Sequence, residues 1–184
     1  IDPTKQVGYS GFIGREAGIQ QAAIEADITG ADKLYLVVTN GGDGLSYDHA
    51  DWANPVLIDK AGNEHSLTSI NWDANPVNGW NAPKLNKNND GNTMSIGGTT
   101  YDKGFGVNAP SMLTFTLPEG HEYVQFKAIV GYDDDVVNAP SGVTIPPRWR
   151  IAASTLLFIG ATACRPTATS TPRPPPARPS TPRL

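Results

Sequence analysis

Apolar and polar residues alternate along the chain in short runs, the period expected of strands that bury one face. The runs that predict strands cover residues 34–38, 52–59, 64–70, 112–117 and 123–130; alternation is clearest in 52–59 and 112–117, whereas 34–38 is apolar throughout. Gly, Pro, Asn and Asp, which favour turns, separate these runs. Gly97 and Gly98 lie between two further short runs as a hairpin turn. We therefore predict about seven or eight short strands in an all-β chain folded as an antiparallel β-sandwich.

Three segments leave their structure open or predict an irregularity. Residues 17–26 contain helix-forming side chains interrupted by Gly18, so a short helix and a first strand with a bulge both fit them. Pro55 cannot donate a backbone hydrogen bond, so the strand over 52–59 is expected at a sheet edge or with a bulge. Residues 104–110 contain two glycines and a proline, which predict a loop.

Several predicted strands run into polar, glycine-rich segments. These segments cover residues 40–50, 75–81, 103–111 and 131–135. Loops that connect the strands of a sandwich lie on its surface and commonly carry its binding residues. We expect the four segments to meet at one end of the molecule.

The composition changes abruptly near residue 146. The chain has 184 residues with a formal net charge of −4, and every Asp, Glu and Lys precedes Pro147, whereas only arginines carry charge after it. We assign residues 1–146 to one domain and residues 147–184 to a disordered tail rich in Pro, Arg and Thr. That tail is either a natural linker or a segment read in a shifted frame.

The charge pattern and the motifs argue against several functions. No basic stripe interleaved with aromatic residues crosses the body, so nucleic acid is not an expected partner. The apolar run over 151–163 is too short to span a bilayer. Nothing in the sequence places two acids across a cleft for glycoside hydrolysis, and no Ser/His/Asp or Cys/His arrangement has a recognisable context. We therefore do not expect an enzyme.

Aromatic and amide side chains in the predicted loops suit a carbohydrate ligand. A sugar is bound by an aromatic ring against its C–H face and by planar polar groups at its hydroxyls. Trp80 is the best candidate platform because Gly and Asn flank it; Trp72 is a weaker candidate for ligand binding, since it could lie in the core, and Trp52 is expected there. The other candidate ligand contacts are Asn78, Tyr47, His49, Asn108 and Asp133.

Aspartates crowd two of the predicted loops. A hard cation such as calcium takes roughly six to eight oxygen ligands from carboxylates and loop carbonyls, which such loops supply. We name Asp43, Asp48 and Asp51 as candidate ligands of a structural calcium ion. The other interpretation is that these aspartates form turns and cap backbone groups.

Four ordered segments together resemble the NPCBM domain, the family 51 carbohydrate-binding module. They are LYLVVTNGGDGLSYDHADWANPVL (34–57), INWDANPVNGW (70–80), GGTTYDKGFGVNAP (97–110) and FKAIVGYDDDV (126–136). The resemblance implies a jelly-roll sandwich with a galactose-binding-like fold that binds galactose or galactosides, often with a structural calcium ion. It also implies a bacterial protein outside the cytoplasm (extracellular, periplasmic or cell-surface), with a parent glycoside hydrolase domain in the same polypeptide.

The chain departs from that family pattern in two places. The family usually reads Gly-Thr-His-Ala where this chain has Gly106-Val107-Asn108-Ala109. The family also continues past its acidic loop into further strands, whereas this chain runs into the tail. The domain could therefore lack its closing strands and expose an unpaired edge.

These inferences converge on a non-catalytic carbohydrate-binding module. We expect it to be directed to galactose-containing glycans and to target an attached glycoside hydrolase to its substrate. The alternative is a structural or protein-interaction β-sandwich within a larger glycosidase, with no sugar site.

Overall fold

The computed structural model describes residues 6–10, 13, 18–39, 47–74, 79–137 and 156–161. A first sheet has the order β1-β13-β3-β11-β6, with β1 at Gln6–Tyr9, β13 at Leu156–Ala161, β3 at Lys33–Val38, β11 at Ser111–Thr116 and β6 at Trp72–Ala74. A second sheet has the order β2-β12-β4-β10-β7, with β2 at Gln21–Asp27, β12 at Tyr123–Tyr132, β4 at His49–Asp59, β10 at Gly104–Asn108 and β7 at Lys84–Leu85. The short strand β5 (Glu64–Ser66) also pairs with β4, and β8 (Met94–Ile96) with β9 (Thr99–Tyr101) forms a separate hairpin.

The predicted all-β antiparallel sandwich is confirmed. All strand pairs among the described residues are antiparallel except those of β13, which runs parallel to β1 and β3. Among the described residues, no helix is long and apolar enough to cross a membrane.

The core lies between the two sheets and is filled by alternate residues of the strands. The Phe105 ring of the second sheet contacts Trp72 and Phe115 of the first, with both pairs of ring centroids 5.3 Å apart and edge-to-face. Trp52 is fully buried, as the sequence predicted. The other large, fully buried side chains of this core include Leu34, Leu36, Leu57, Phe115 and Phe126.

Two of the segments left open are now resolved. The strand alternative holds within residues 17–26, because β2 begins at Gln21 and pairs with β12 along its whole length. For Pro55 the bulge alternative holds: β4 is an interior strand, and its register against β12 shifts between Lys127 and Ile129, opposite Val56 and Ala53. Asn54 lies within this bulge and adopts a positive φ of 46°.

Three predictions of local structure were wrong. Residues 104–110 are not a loop, because residues 104–108 form the buried strand β10; its glycines permit close packing and do not break the chain. The strand predicted over 64–70 ends at Ser66, and Leu67–Ser69 forms a 3₁₀ turn that buries Leu67. Within 147–184, Leu156–Ala161 forms β13 between β1 and β3, so the prediction of a disordered tail does not hold for these residues. The rest of that segment lies outside the described residues.

Phe105→Ala should lower the free energy of unfolding by about 3–5 kcal/mol, because it removes the ring on which the two sheets meet. The measurement is chemical denaturation followed by tryptophan fluorescence. Leu85→Ala is the matched control: Leu85 pairs with Phe105 across β7 and β10 but is 43% exposed, so its removal should change stability by less than about 0.5 kcal/mol. Equal losses in the two variants would contradict the proposed core.

Candidate functional site

A flat strip runs across the outer face of the second sheet, the face that points away from the core. Asp51 of β4 pairs with Gly106 of β10 on one side and with Gly131 of β12 on the other. Because Trp52 and Val107 point into the core, strand alternation places Asp51 and Gly106 on the outer face. Only one of the three paired residues therefore has a side chain.

Residues 86–98, which we call the outer cover, pack directly onto this strip. A Cβ atom added at Gly106 would lie 2.3 Å from the backbone carbon of Asn88, and one added at Gly131 would lie 2.6 Å from Cγ2 of Ile96. Met94 and Ile96 are fully buried although they lie outside the main core cluster. The glycines therefore serve as the contact surface for a second layer, which buries Asp51.

The acidic turn, residues 133–135, ties the outer cover to the end of β12. Asp133 accepts hydrogen bonds from Asn88 Nδ2 at 3.2 Å, from the Ser95 amide at 3.0 Å and from the Asp135 amide at 2.9 Å. Asp134 accepts from both amides of the β8–β9 turn, Gly97 and Gly98, at 2.9 Å each. It also accepts from the Ser95 hydroxyl and the Gln20 side chain. Two of the three carboxylates thus brace the hairpin.

The hydrogen bonds of the acidic turn lower the pKa values of Asp133 and Asp134. Burial acts to raise the pKa of Asp134, but its hydrogen bonds from Ser95, Gly98, Gln20 and Gly97 outweigh that effect and lower it. Burial likewise opposes ionisation of Asp133, and hydrogen bonds from Asp51 and the surrounding N–H groups bring its pKa below the usual value. Both aspartates therefore act as hydrogen-bond acceptors in their charged form.

Asp51 is held in a much less favourable position for a charge. Asp51 is fully buried. When Asp51 and Asp133 are both ionised, no donor among the described residues reaches the carboxylate oxygens of Asp51. Burial raises its pKa well above the usual value, and the neighbouring Asp133 carboxylate raises it further. The two acids lie within hydrogen-bonding reach, which requires a proton on one of them or a cation beside them.

His49 lies at the start of β4, on the same outer face as Asp51. Its Nδ1 is 3.3 Å from Asp135 Oδ2 and 4.0 Å from Asp90 Oδ2. The hydrogen bond to Asp135 raises the pKa of His49, against the opposing effect of burial. Burial raises the pKa of Asp135, although the bond to His49 pulls it down. His49, Asp90 and Asp135 offer ligand atoms within 4.8 Å of one another, so they could also hold a metal ion.

The Trp80 backbone lies next to this group, and the Trp80 side chain extends into solvent. It is 78% exposed, the most exposed large apolar side chain among the described residues. Its backbone amide donates to Asn108 Oδ1 at 3.0 Å. Asn108 pairs with His49 across β10 and β4, which places the Trp80 segment next to the histidine. Tyr47, 48% exposed with a φ of 65°, lies two residues before His49.

The structure brings together most of the predicted site residues that it describes. The described parts of the four polar segments do meet at one end, although residue 103 lies at the opposite end of β10 from Asn108. Trp72 is half-buried against Phe105 and belongs to the core side. Asp48 is buried, and its carbonyl oxygen accepts from the Ala109 amide at 2.9 Å. The predicted residues Asn78 and Asp43 lie outside the described residues.

The sequence interpretation missed the outer cover. Asn88 donates to both Asp133 and Asp135, and Asn89 is fully buried. The available signal was the run Asn-Lys-Asn-Asn-Asp at 86–90, whose low hydrophobicity suggests a solvated loop. Buried amide side chains leave no periodic pattern in the sequence. Their burial becomes evident only once the strand that they cover, β10, is placed.

Fold and site together define a β-sandwich with an exposed aromatic side chain and a cluster of polar side chains at one end, an arrangement suited to binding a sugar. The NPCBM/NEW2 domain model matches residues 9–58 and 63–145, and the chain belongs to this family. It is thus a carbohydrate-binding module of a family associated with glycosidases.

A curated relative is consistent with that assignment. The putative endo-alpha-N-acetylgalactosaminidase of Renibacterium salmoninarum is 32% identical over 73 residues, which cover 36% of this chain and 5% of the relative. The chain thus matches only a small part of that much longer protein. No solved structure matches the chain significantly.

Asp134→Ala should lower the free energy of unfolding by about 2 kcal/mol at pH 7, because the β8–β9 turn loses its acceptor. The lowered pKa of Asp134 means that its contribution is present above the unfolded value near 3.8 and is lost as pH falls through the folded value. Urea denaturation of variant and wild type should therefore converge in acid. Asp102→Ala, an exposed acid after the same hairpin, is the control and should be neutral; an equal loss there would sink the bracing role.

His49 should titrate above its ordinary value near 6.5, and Asp135→Asn should lower that midpoint. The pair stabilises the fold below the unfolded pKa of histidine, and this contribution disappears as pH rises through the folded pKa. Histidine NMR resonances followed against pH measure both midpoints. Asp102→Asn should leave His49 unchanged; a His49 midpoint that ignores Asp135→Asn would show that the two side chains are not paired.

Proposed function

We propose that the chain binds galactose or galactoside glycans without catalysing a reaction, and that it targets an attached glycoside hydrolase to its substrate. The observation that carries the proposal is the exposed Trp80 side chain, on a backbone segment bonded to Asn108, the residue that pairs with His49 at the end of the sandwich. An indole exposed to this degree presents a flat apolar surface, and apolar C–H faces of sugars stack on such surfaces.

Polar groups adjacent to the platform supply the second requirement of sugar recognition. His49, Asp90 and Asp135 lie within hydrogen-bonding distance of a common point and are accessible to different degrees, with the Asp90 side chain 49% exposed and that of His49 15% exposed. Tyr47 adds a second exposed ring at the same end. Mixed donors and acceptors beside an aromatic ring suit a ring of hydroxyls.

The preference for galactose rests on relatedness. The family is one of carbohydrate-binding modules, and the name of the Renibacterium relative refers to a sugar of the galactose series. Binding of a module to a glycan raises the local concentration of the enzyme joined to it, an effect of linkage that needs no chemistry at the site. In this proposal the catalytic domain lies in the same polypeptide and the protein works outside the cytoplasm, where such glycans are found.

Titration of the full chain with galactose, N-acetylgalactosamine and glucose by calorimetry tests the proposal. We expect the first two sugars to bind and glucose to bind more weakly. Trp80→Ala should lose at least about tenfold in affinity because it removes the platform. Leu85→Ala, which removes another exposed apolar side chain, should bind as wild type. A folded wild type that binds none of these sugars would favour a structural or protein-interaction sandwich.

We also propose that a structural calcium ion binds near Asp51. The buried carboxylate oxygens of Asp51, which lack donors among the described residues, fit a hard cation. Asp48, also buried, is three positions before Asp51, and the third predicted ligand, Asp43, precedes both in the sequence. The His49 group fits calcium less well, because an imidazole nitrogen is a poor calcium ligand and here bonds to Asp135.

Thermal melts of the full chain in calcium and in a chelator test this second part. Calcium should raise the Tm of wild type because it neutralises the buried carboxylate, and Asp51→Asn should abolish that shift. Asp102→Asn is the matched control and should keep the shift. A wild-type Tm that does not respond to calcium would show that Asp51 is neutralised by a proton instead.

A further inference from the structure

The geometry assigns Asn108 the role of positioning Trp80: its side chain and backbone carbonyls together hold the Gly79–Trp80 backbone at the end of β10. This inference rests on the proposed function in so far as Trp80 is the sugar platform. It differs from the sequence prediction, which placed Asn108 in contact with the ligand. Here Asn108 acts through Trp80.

Two acceptors of one residue bind two successive amides. Asn108 Oδ1 accepts from the Trp80 amide at 3.0 Å, and the Asn108 carbonyl oxygen accepts from the Gly79 amide at 3.2 Å. Asn108 is only 2% exposed and is fixed by its place in β10. Two bonds from one rigid residue fix both the position and the direction of the short segment that they hold.

The contact depends on the absence of a side chain at Gly79. A Cβ atom added there would lie 2.0 Å from Asn108 Oδ1 and 2.7 Å from the backbone oxygens of both Asn108 and Ala109. The backbone at Gly79 therefore lies flat against β10, closer than any other residue type permits. Gly79 and Asn108 form one device, which we call the asparagine bracket.

A second amide holds the other side of Trp80. Asn81 Nδ2 donates to Asn89 Oδ1 at 3.2 Å, and Asn89 is fully buried in the outer cover. Trp80 is thus fixed before and after its own position while its ring stays in solvent. A platform whose backbone is already ordered loses less entropy when a ligand stacks on it.

The short stem of asparagine carries its amide oxygen to the Trp80 amide while the rest of the residue stays in the strand. Its oxygen is already used and almost inaccessible, so it has little left to offer a sugar hydroxyl.

Amide hydrogen exchange of the ligand-free full chain, followed by NMR, tests the bracket. The Trp80 amide should be protected in wild type, and Asn108→Ala should accelerate its exchange by about tenfold. Asn108→Asp keeps an acceptor oxygen and should retain most of the protection. Asn71→Ala, which removes an exposed asparagine side chain, is the control and should leave Trp80 unaffected.

Affinity for galactose separates positioning from contact. Asn108→Ala should weaken binding, and Asn108→Asp should restore it in parallel with Trp80 protection. Weaker binding with an unchanged Trp80 amide would overturn the inference, because Asn108 would then contact the sugar itself. If wild type binds no sugar, the proposed function fails, while the Trp80 amide still decides whether the bracket exists.

A measurement on wild type covers the case in which Asn108→Ala does not fold. Scalar coupling through the hydrogen bond, between the Trp80 amide nitrogen and the side-chain carbonyl carbon of Asn108, should be detectable. Its detection supports the bracket directly. A Trp80 amide without this coupling and without exchange protection would overturn it.

Discussion

The candidate site depends on the hydrogen bonds that the acidic turn makes to the outer cover. Asp133 and Asp134 accept from amides of Ser95, Gly97 and Gly98, which belong to an element that pairs with neither sheet. The other attachments of the cover to the sheet are the hydrogen bonds between Asn86 and Gly104 and the buried side chains of Met94 and Ile96. Charged acceptors give stronger bonds than neutral ones, which explains why aspartates occupy these two positions.

The same arrangement also buries two neighbouring carboxyl groups, those of Asp51 and Asp133, which disfavour each other's ionisation. Asp51 is buried by the cover beside Asp133, and its pKa is raised because the interior does not solvate a second charge. Asp133 escapes this conflict because N–H donors surround it. Asp51 follows His49 by two residues on the same face of β4, and the Asp133 charge acts to raise the pKa of His49, so the charge state of the buried pair influences the His49 group.

The sequence predicted the sandwich well where one face of a strand is buried in the core. The strands predicted over 34–38, 112–117 and 123–130 are all present, and their burial alternates where the sheets pack through alternate residues. The structure extends the first by one position and the third by two, and shifts the second by one. Flanking residues also separated Trp52, which is buried, from Trp80, which is exposed. Gly and Asn beside Trp80 indicated a turn, whereas the residues after Trp52 continue a strand.

Prediction from the sequence failed for β10, a strand that is covered on both faces. Glycines in 104–108 suggested a loop because local propensity treats glycine as a breaker, but here they make room for the outer cover. The cover itself is polar and carries no periodic signal, so neither the burial of Asn88 and Asn89 nor the contact of Asp133 with Asp51 could be predicted. Long-range contacts between polar segments become visible only when the fold is known.

The two faces of the second sheet, one toward the core and one carrying the glycine strip, serve different parts of the molecule. The interior of the sandwich is sealed by one face of the second sheet, while His49, Asp90 and the Trp80 segment lie on the other. The exposed side chains on that outer face, such as Asp90 and Trp80, take no part in the packing around Phe105 and Trp52. Exposed positions of this kind can therefore vary at little cost to folding.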